Sequence, residues 1–216
     1  MVFVRLLRRK KSIFLSVQLK IVKLLTIKPL TYQLLAKAVE LDKLCFGGLW
    51  QKKAYQREID SPNSSLLVLS YCPEPERSDL EDIAEEIIGI GCLWSIVDEA
   101  HITLLGIHPH YRGQKLGKLL LCILLKDAVD RQLKWATLEV SVNNQLAISL
   151  YQKFGFEIAG RRKNYYPTTG EDALVLWLKG LDRPELSEKL AWWQNQIERG
   201  LNNYSWQIEK TILTDR

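Results

Sequence analysis

From Thr31 to Leu44 the chain reads TYQLLAKAVELDKL, and Leu34, Leu35, Ala38, Leu41 and Leu44 fall on one side of a 3.6-residue period. That spacing predicts an amphipathic helix, with Thr31 placed to cap its start and Gly47-Gly48 to end it. A second helix is expected from about Gln51 to Ile59. Residues 65–71 (SLLVLSY) and 87–97 (IIGIGCLWSIV) then read as strands, and the acidic stretch around Glu74 to Glu86 reads as the hairpin connection between them. The run ITLLGIHP (102–109) is a further strand ending in a proline. It hands over through a glycine-containing turn to YRGQKLGKLLLCILLKDAVDRQ, whose dense apolar stripe predicts a buried helix.

In WATLEVSV (135–142), Leu138, Val140 and Val142 alternate with Thr137, Glu139 and Ser141, a strand with one apolar and one polar face. Helical spacing returns in NNQLAISLYQKF (143–154), with Leu146, Ala147, Leu150, Tyr151 and Phe154 on one side and Gly155 as the stop. Two last strands, near 156–162 and 172–179, flank a YYPTTG turn. Beyond them Leu186, Leu190, Trp193 and Ile197 recur at the spacing of one amphipathic helix. Strands alternating with helices after an antiparallel opening define an α/β domain with a mixed sheet.

Composition narrows the class. With 47% apolar and 25% charged residues among 216, the chain is an ordinary globular domain with extensions, which excludes disordered and collagen-like architectures. The net charge of +5 suggests a polyanionic partner until it is located. Residues 1–28 hold eight basic residues and no acid, so the remainder carries 22 positive and 25 negative charges. Any contact with nucleic acid is therefore expected only through the basic leader. That leader reads as a dispensable or strand-like extension, or else as an acid-free transit sequence poor in serine; Gln18, Lys20 and Lys23 interrupt it too often for a signal peptide. Cys45, Cys72, Cys92 and Cys122 are spaced singly, which points away from a zinc site and toward a reduced, cytoplasmic setting. No apolar run is long enough to span a bilayer, so no membrane partner is expected.

The segment Arg112-Gly113-Gln114-Lys115-Leu116-Gly117 lies where a strand meets a helix, the place where free N–H groups and the helix dipole favour a phosphate. Arg112, Lys115 and Lys118 add positive charge; the competing interpretation is a helix start with ordinary glycines. A nucleotide P-loop is excluded because Gly113 and Gly117 are one residue too close and Leu119 follows Lys118, and no G-x-G-x-x-G occurs.

The blocks HITLLGIHPHYRGQKLGKLLL, LEVSVNNQLAISLYQKFGF and GRRKNYYPTTGEDALVL together resemble the GNAT superfamily of acetyl-CoA-dependent N-acetyltransferases, and within it the RimI-type branch. The resemblance implies a GNAT fold, with a mixed, mostly antiparallel central sheet flanked by helices. It implies three regions: a basic extension over 1–26, an acetyltransferase domain over 27–180, and a C-terminal extension over 181–216. Acetyl-CoA is the implied cosubstrate, with no metal. The implied partner is the N-terminal segment of a protein, a small-subunit ribosomal protein whose N-terminal alanine is acetylated. A small-molecule amine acetyltransferase and a non-catalytic acyl-CoA-binding, ribosome-associated module are the alternatives.

By the same resemblance, the backbone of Leu105, Gly106 and Ile107 pairs with the pantetheine arm. Arg112, Gly113, Gln114, Lys115, Leu116, Gly117 and Lys118 surround the pyrophosphate, and Asn144 touches the cofactor or caps its helix. Glu139 corresponds to a general base, against the alternative of a solvated strand carboxylate, and Tyr151 to a general acid, against that of a core tyrosine. Trp50, Tyr165 and Tyr166 are expected to meet the peptide; for the tyrosines the alternative is hydrophobic closure of the hairpin. Two departures stand out. Lys115 occupies a position usually held by glycine, so it is expected to keep φ below zero and point its ammonium at a phosphate, or to strain the loop. Ser141-Val142-Asn143 replaces the more usual Arg-x-Ser before Asn144.

Overall fold

The computed structural model describes residues 22–73 and 85–211; most of the basic leader and most of the acidic stretch after Pro73 lie outside the described residues. The chain opens with β1 (Lys23–Pro29), passes a short 3₁₀ turn, and enters α1 (Leu35–Phe46). Thr31 precedes that turn but makes no side-chain cap, because the 3₁₀ turn separates it from the α-helix proper. Gly47 does end α1, in the left-handed conformation at φ 73° that glycine adopts without a Cβ clash. Leu34, Leu35, Ala38 and Leu41 are buried as the periodicity requires, whereas Leu44 is exposed and Cys45 and Phe46 turn toward the sheet in its place.

Then follow α2 (Lys52–Asp60), β2 (Ser64–Tyr71), β3 (Glu86–Ile96), β4 (Glu99–Ile107), α3 (Leu116–Asp130), β5 (Trp135–Ser141), α4 (Gln145–Lys153), β6 (Glu157–Tyr166) and β7 (Glu171–Lys179). The chain closes with α5 (Pro184–Leu201) and β8 (Trp206–Thr211). Leu146 is exposed rather than buried, since it sits in the first turn of α4, while Ile148, Tyr151 and Phe154 reach the core. Among the described residues no helix is long and apolar enough to cross a membrane, and all four cysteines are free.

The strands form one eight-stranded sheet in the order β6-β7-β5-β4-β3-β2-β1-β8. Among the described residues, only the β4–β5 and β1–β8 pairs are parallel. Two hydrophobic cores lie on this sheet. One contains α3, α4 and α5 with Leu119, Leu120, Leu138, Tyr151 and Trp206; the other contains α1 and α2 with Leu35, Ala38, Tyr55 and Leu104. Helix α3 is leucine-rich on nearly every side because it is almost wholly enclosed. β8 was not legible in WQIEKT, a six-residue alternation following a helix; it forms because β1 offers it a parallel edge from Lys23↔Trp206 onward.

Candidate active site

The site begins with a defect in pairing. Between Cys92↔Leu104 and Leu93↔Ile102 the β3–β4 register shifts, which leaves Thr103 as an extra residue on β4. A bulge of this kind bends its strand and exchanges the faces beyond it. Accordingly, Ile102 belongs to one core and Leu104 to the other. On its other edge, β4 pairs with β5 only at Glu99↔Trp135, Ala100↔Ala136 and His101↔Thr137. β5 then follows β7 as far as Ser141↔Ala173, and the two parallel strands separate. Leu105, Gly106 and Ile107 thus keep a backbone edge that β5 does not occupy, suited to an added extended chain.

Gly106 is fixed by what lies above it. A Cβ there would stand 2.5 Å from Phe46 Cζ and 3.1 Å from Cys45 Cβ, at the end of α1. Gly106→Ala is therefore expected to destabilise the protein by about 1–3 kcal/mol through overpacking, readable as a lowered midpoint in thermal or urea unfolding.

At the end of β4, Arg112 Nε donates to the Ile107 carbonyl at 3.1 Å and ties the turn to the strand. Gly113 takes φ 78°, and Lys115, the residue before α3, takes φ 65° without supplying a side-chain cap. The expectation of a negative φ at Lys115 does not hold. Its side chain instead ends over Gly200 of α5, where an added Cβ would meet the Lys115 Nζ first and Cδ and Cε at 2.7 Å. A left-handed lysine costs roughly 1–2 kcal/mol, so the surrounding contacts must hold it. Leu116 is buried, which leaves only its backbone for a ligand, and Gly117, in the first turn of α3, lies against Ile107 and Leu150. Among the described residues Arg112, Lys115, Lys118 and Lys153 have no carboxylate partner within ion-pair distance. Burial, then Lys153 and Lys115, push the Lys118 ammonium below its ordinary pKa. Uncapped N–H groups beside cations are the chemistry that an anion requires. The donor set therefore fits a pyrophosphate.

Across the splay, Glu139 lies on the polar face of β5 with its side chain 8% exposed. Its Oε1 is 3.0 Å from Arg162 Nη2 and its Oε2 is 3.4 Å from His101 Nε2. His101 Nδ1 in turn meets Thr137 Oγ1 at 2.8 Å, and the Thr137 hydroxyl donates to Glu99. Tyr151 approaches from α4. Its ring packs edge-on against Phe156 at 5.7 Å, yet its hydroxyl makes no hydrogen bond among the described residues. Burial first, and Tyr166 second, raise its pKa well above the ordinary tyrosine value. Tyr165 and Tyr166 are in edge-to-face contact at 5.2 Å on the end of β6, not in a loop, and burial raises both, with Glu139 also raising each. Glu139, Tyr151, Tyr165 and Tyr166 are thereby gathered into one group. Asn144 is exposed and its Oδ1 accepts from the Ala147 N–H at 3.1 Å, so it does cap α4.

Trp50 is further along the same face. It stacks on Trp94 at 6.3 Å, and the Trp94 ring is 6.2 Å from His101. Its N–H donates to Asp42 Oδ2, a fully buried carboxylate that also accepts from Tyr55. A cavity of about 520 Å³ opens here between Leu49, Trp50, Arg57, Glu58 and Trp94. His101, Asp42 and Trp94 were missed in the sequence. The signal for Asp42 was an acid inside an apolar helical stripe, and for His101 a polar residue just before the ITLLG run.

The β6–β7 hairpin that carries the tyrosines is tied by carboxylates. Asp172 accepts from the Asn164 N–H at 2.8 Å and from Arg161 Nε at 2.6 Å, which holds its pKa low. Glu171 is lowered likewise by Ser141 at 2.5 Å and Asn143 at 2.9 Å. A lowered folded pKa gives order that is present above the unfolded value of about 4 and lost as pH falls through the folded one. Amide exchange at Asn164 is therefore expected to accelerate below about pH 4 relative to Leu176 in the sheet; a constant ratio would dissociate these carboxylates from the hairpin.

A sheet parted beside a bulge, with a cation-rich turn at one end and a carboxylate–tyrosine group beside the gap, fits the acyl-CoA site that the sequence resemblance implies. Residues 35–156 match the description "Acetyltransferase (GNAT) family", and the chain belongs to that family. It is an acetyl-CoA-dependent N-acetyltransferase. The chain is 34% identical over 140 residues to the putative [ribosomal protein bS18]-alanine N-acetyltransferase of Bacillus subtilis, covering 64% of this chain and 85% of that one. It is 40% identical over 85 residues to the [ribosomal protein bS18]-alanine N-acetyltransferase of Escherichia coli K12, covering 38% of this chain and 57% of that relative. The crystal structure of the ribosomal-protein-S18-alanine N-acetyltransferase from Escherichia coli superposes with a TM-score of 0.60 at 26% identity, over 72% of this chain and 94% of that one.

Proposed function

We propose that this chain transfers the acetyl group of acetyl-CoA to the N-terminal α-amine of a protein, an alanine-starting small-subunit ribosomal protein. The observation that carries the reading is the Tyr151 hydroxyl, on a buried ring and without a hydrogen-bond partner among the described residues, with Tyr166 close to both it and Glu139. A core tyrosine ordinarily finds a local acceptor; one kept protonated and without a partner is available to donate. The relatives with alanine N-acetyltransferase names supply the substrate class.

Leu105, Gly106 and Ile107 receive the pantetheine arm along the free edge of β4, and the 113–118 turn with Arg112 receives the pyrophosphate. Asn144 fixes the start of α4 and through it Tyr151. Glu139 takes the proton from the amine as its nitrogen bonds to the acetyl carbon. Tyr151 gives its proton to the sulfur as the carbon–sulfur bond breaks, so that N-acetyl peptide and free CoA leave. Trp50, Tyr165 and Tyr166 line the approach of the peptide.

At pH 7 roughly one tenth of an α-amine with pKa about 8 is neutral, against roughly 4 in 10,000 of a lysine at about 10.4. Deprotonation by a carboxylate therefore costs less for an N-terminal substrate than for a lysine. A ribosomal-protein substrate places the enzyme in the cytoplasm, and the basic residues of the 1–26 extension are where contact with ribosomal RNA would fall. Mass spectrometry of synthetic peptides incubated with acetyl-CoA tests the reading. Acetylation of the α-amine of Ala-starting peptides is the expected result; modification of polyamines alone would overturn it.

A further inference from the structure

We propose that the segment following the acetyltransferase core, α5 with β8, is a working part of the acyl-CoA loop, and that Trp206 and Gly200 are positioning residues for Gln114 and Lys115. The inference rests on the assignment of residues 113–118 to the pyrophosphate. Both positioning residues lie beyond the 35–156 stretch that matches the family.

Three contacts join this segment to the turn. The Trp206 indole Nε1–H donates to Gln114 Oε1 at 2.7 Å. Its ring, 1% exposed, packs edge-on against Tyr111 at 5.8 Å, the residue that leads into the turn, and against Tyr71 at 5.1 Å. Gly200, the last residue but one of α5, leaves the space in which the end of the Lys115 side chain, Cδ to Nζ, is seated. The segment is itself anchored. β8 pairs with β1, and α5 is held to α3 by Lys126 Nζ to Gln194 Oε1 at 2.6 Å and by the Cys122 thiol on the Leu190 carbonyl.

The physical need for a brace follows from Lys115. A glycine would occupy φ 65° freely, but a lysine prefers negative φ, and relaxation to it would swing the N–H groups at the start of α3 away from an anion. Seating the lysine stem on Gly200 favours the left-handed state, and the ammonium then stands near the carbonyl-rich end of α5, where a cation is favoured. Trp206 in turn fixes the side chain of Gln114, the residue that precedes Lys115.

The test uses the full chain. Trp206→Phe retains an aromatic ring against Tyr71 and Tyr111 and removes the donor; loss of one hydrogen bond is expected to raise KM for acetyl-CoA about five-fold, with kcat and peptide KM unchanged. Gly200→Ala replaces a helical glycine, so thermal stability is expected to hold or rise, while the displaced Lys115 stem raises KM for acetyl-CoA. In a Lys115→Gly background, Gly200→Ala is expected to have no further effect, because no side chain remains to be displaced. Unchanged acetyl-CoA KM in both single variants would overturn the brace. Absence of acetyl-CoA binding by the wild type in calorimetry would overturn the underlying loop assignment together with it.

Discussion

Tyr151→Phe is expected to lower kcat by about 10²- to 10⁴-fold, the range for loss of a positioned general acid, while acetyl-CoA binds as in the wild type. The substitution removes one oxygen and leaves the ring against Phe156, so thermal stability should change little. It removes no hydrogen bond among the described residues, because the hydroxyl makes none. That combination, a large loss of turnover without loss of fold or cofactor, distinguishes an acid from a packing residue. Steady-state kinetics beside calorimetric titration of acetyl-CoA would measure it, and wild-type turnover in the variant would remove Tyr151 from the mechanism. The pH dependence carries a further sign. Because burial raises the folded pKa above the unfolded value of about 10, the hydroxyl stays protonated below that value, and its ionisation should not cause a fall in kcat between pH 9 and 10.

Glu139→Gln is the second large effect, an expected fall in kcat of on the order of 10²-fold or more. Glutamine keeps the shape and one carbonyl acceptor for Arg162 Nη2 but cannot take a proton from the amine. The loss should be smaller for a pre-deprotonated substrate, so raising pH toward and past the α-amine value near 8 should narrow the gap between variant and wild type. A loss that is independent of pH would assign Glu139 to holding Arg162 and His101 instead of to proton transfer.

Much of this site was legible because its chemistry is local. The 112–118 turn, the strand before it and Asn144 are contiguous features of strand–turn–helix units, and alternation in WATLEVSV sufficed to place Glu139 on the polar face of β5. What was not legible depends on residues remote in the chain. Nothing near Thr103 announces that β4 gains a residue against β3, and that bulge accompanies the parting from β5. The environment of Glu139 comes from His101 on β4 and Arg162 on β6, 38 and 23 positions away in sequence. Lys115, a lysine at a position usually held by glycine, has φ of 65° and not the negative value expected of it, and Gly200, 85 residues later, receives its side chain.

The sequence by itself determined the alternation of strands and helices, the buried α3, and where the turn proposed for the pyrophosphate and the residues proposed as base and acid lie in the chain. These follow from hydrophobic period, glycine placement and side-chain type, all fixed within a few residues. Tertiary structure alone decided that β4 and β5 separate after His101, that the Tyr151 hydroxyl meets no hydrogen-bond partner among the described residues, and that Trp206 and Gly200 of the C-terminal segment meet Gln114 and Lys115. Each of these is a statement about which partner a backbone edge or a polar atom fails or manages to meet, and such meetings are settled by sheet order and long-range packing, where local propensity has no say.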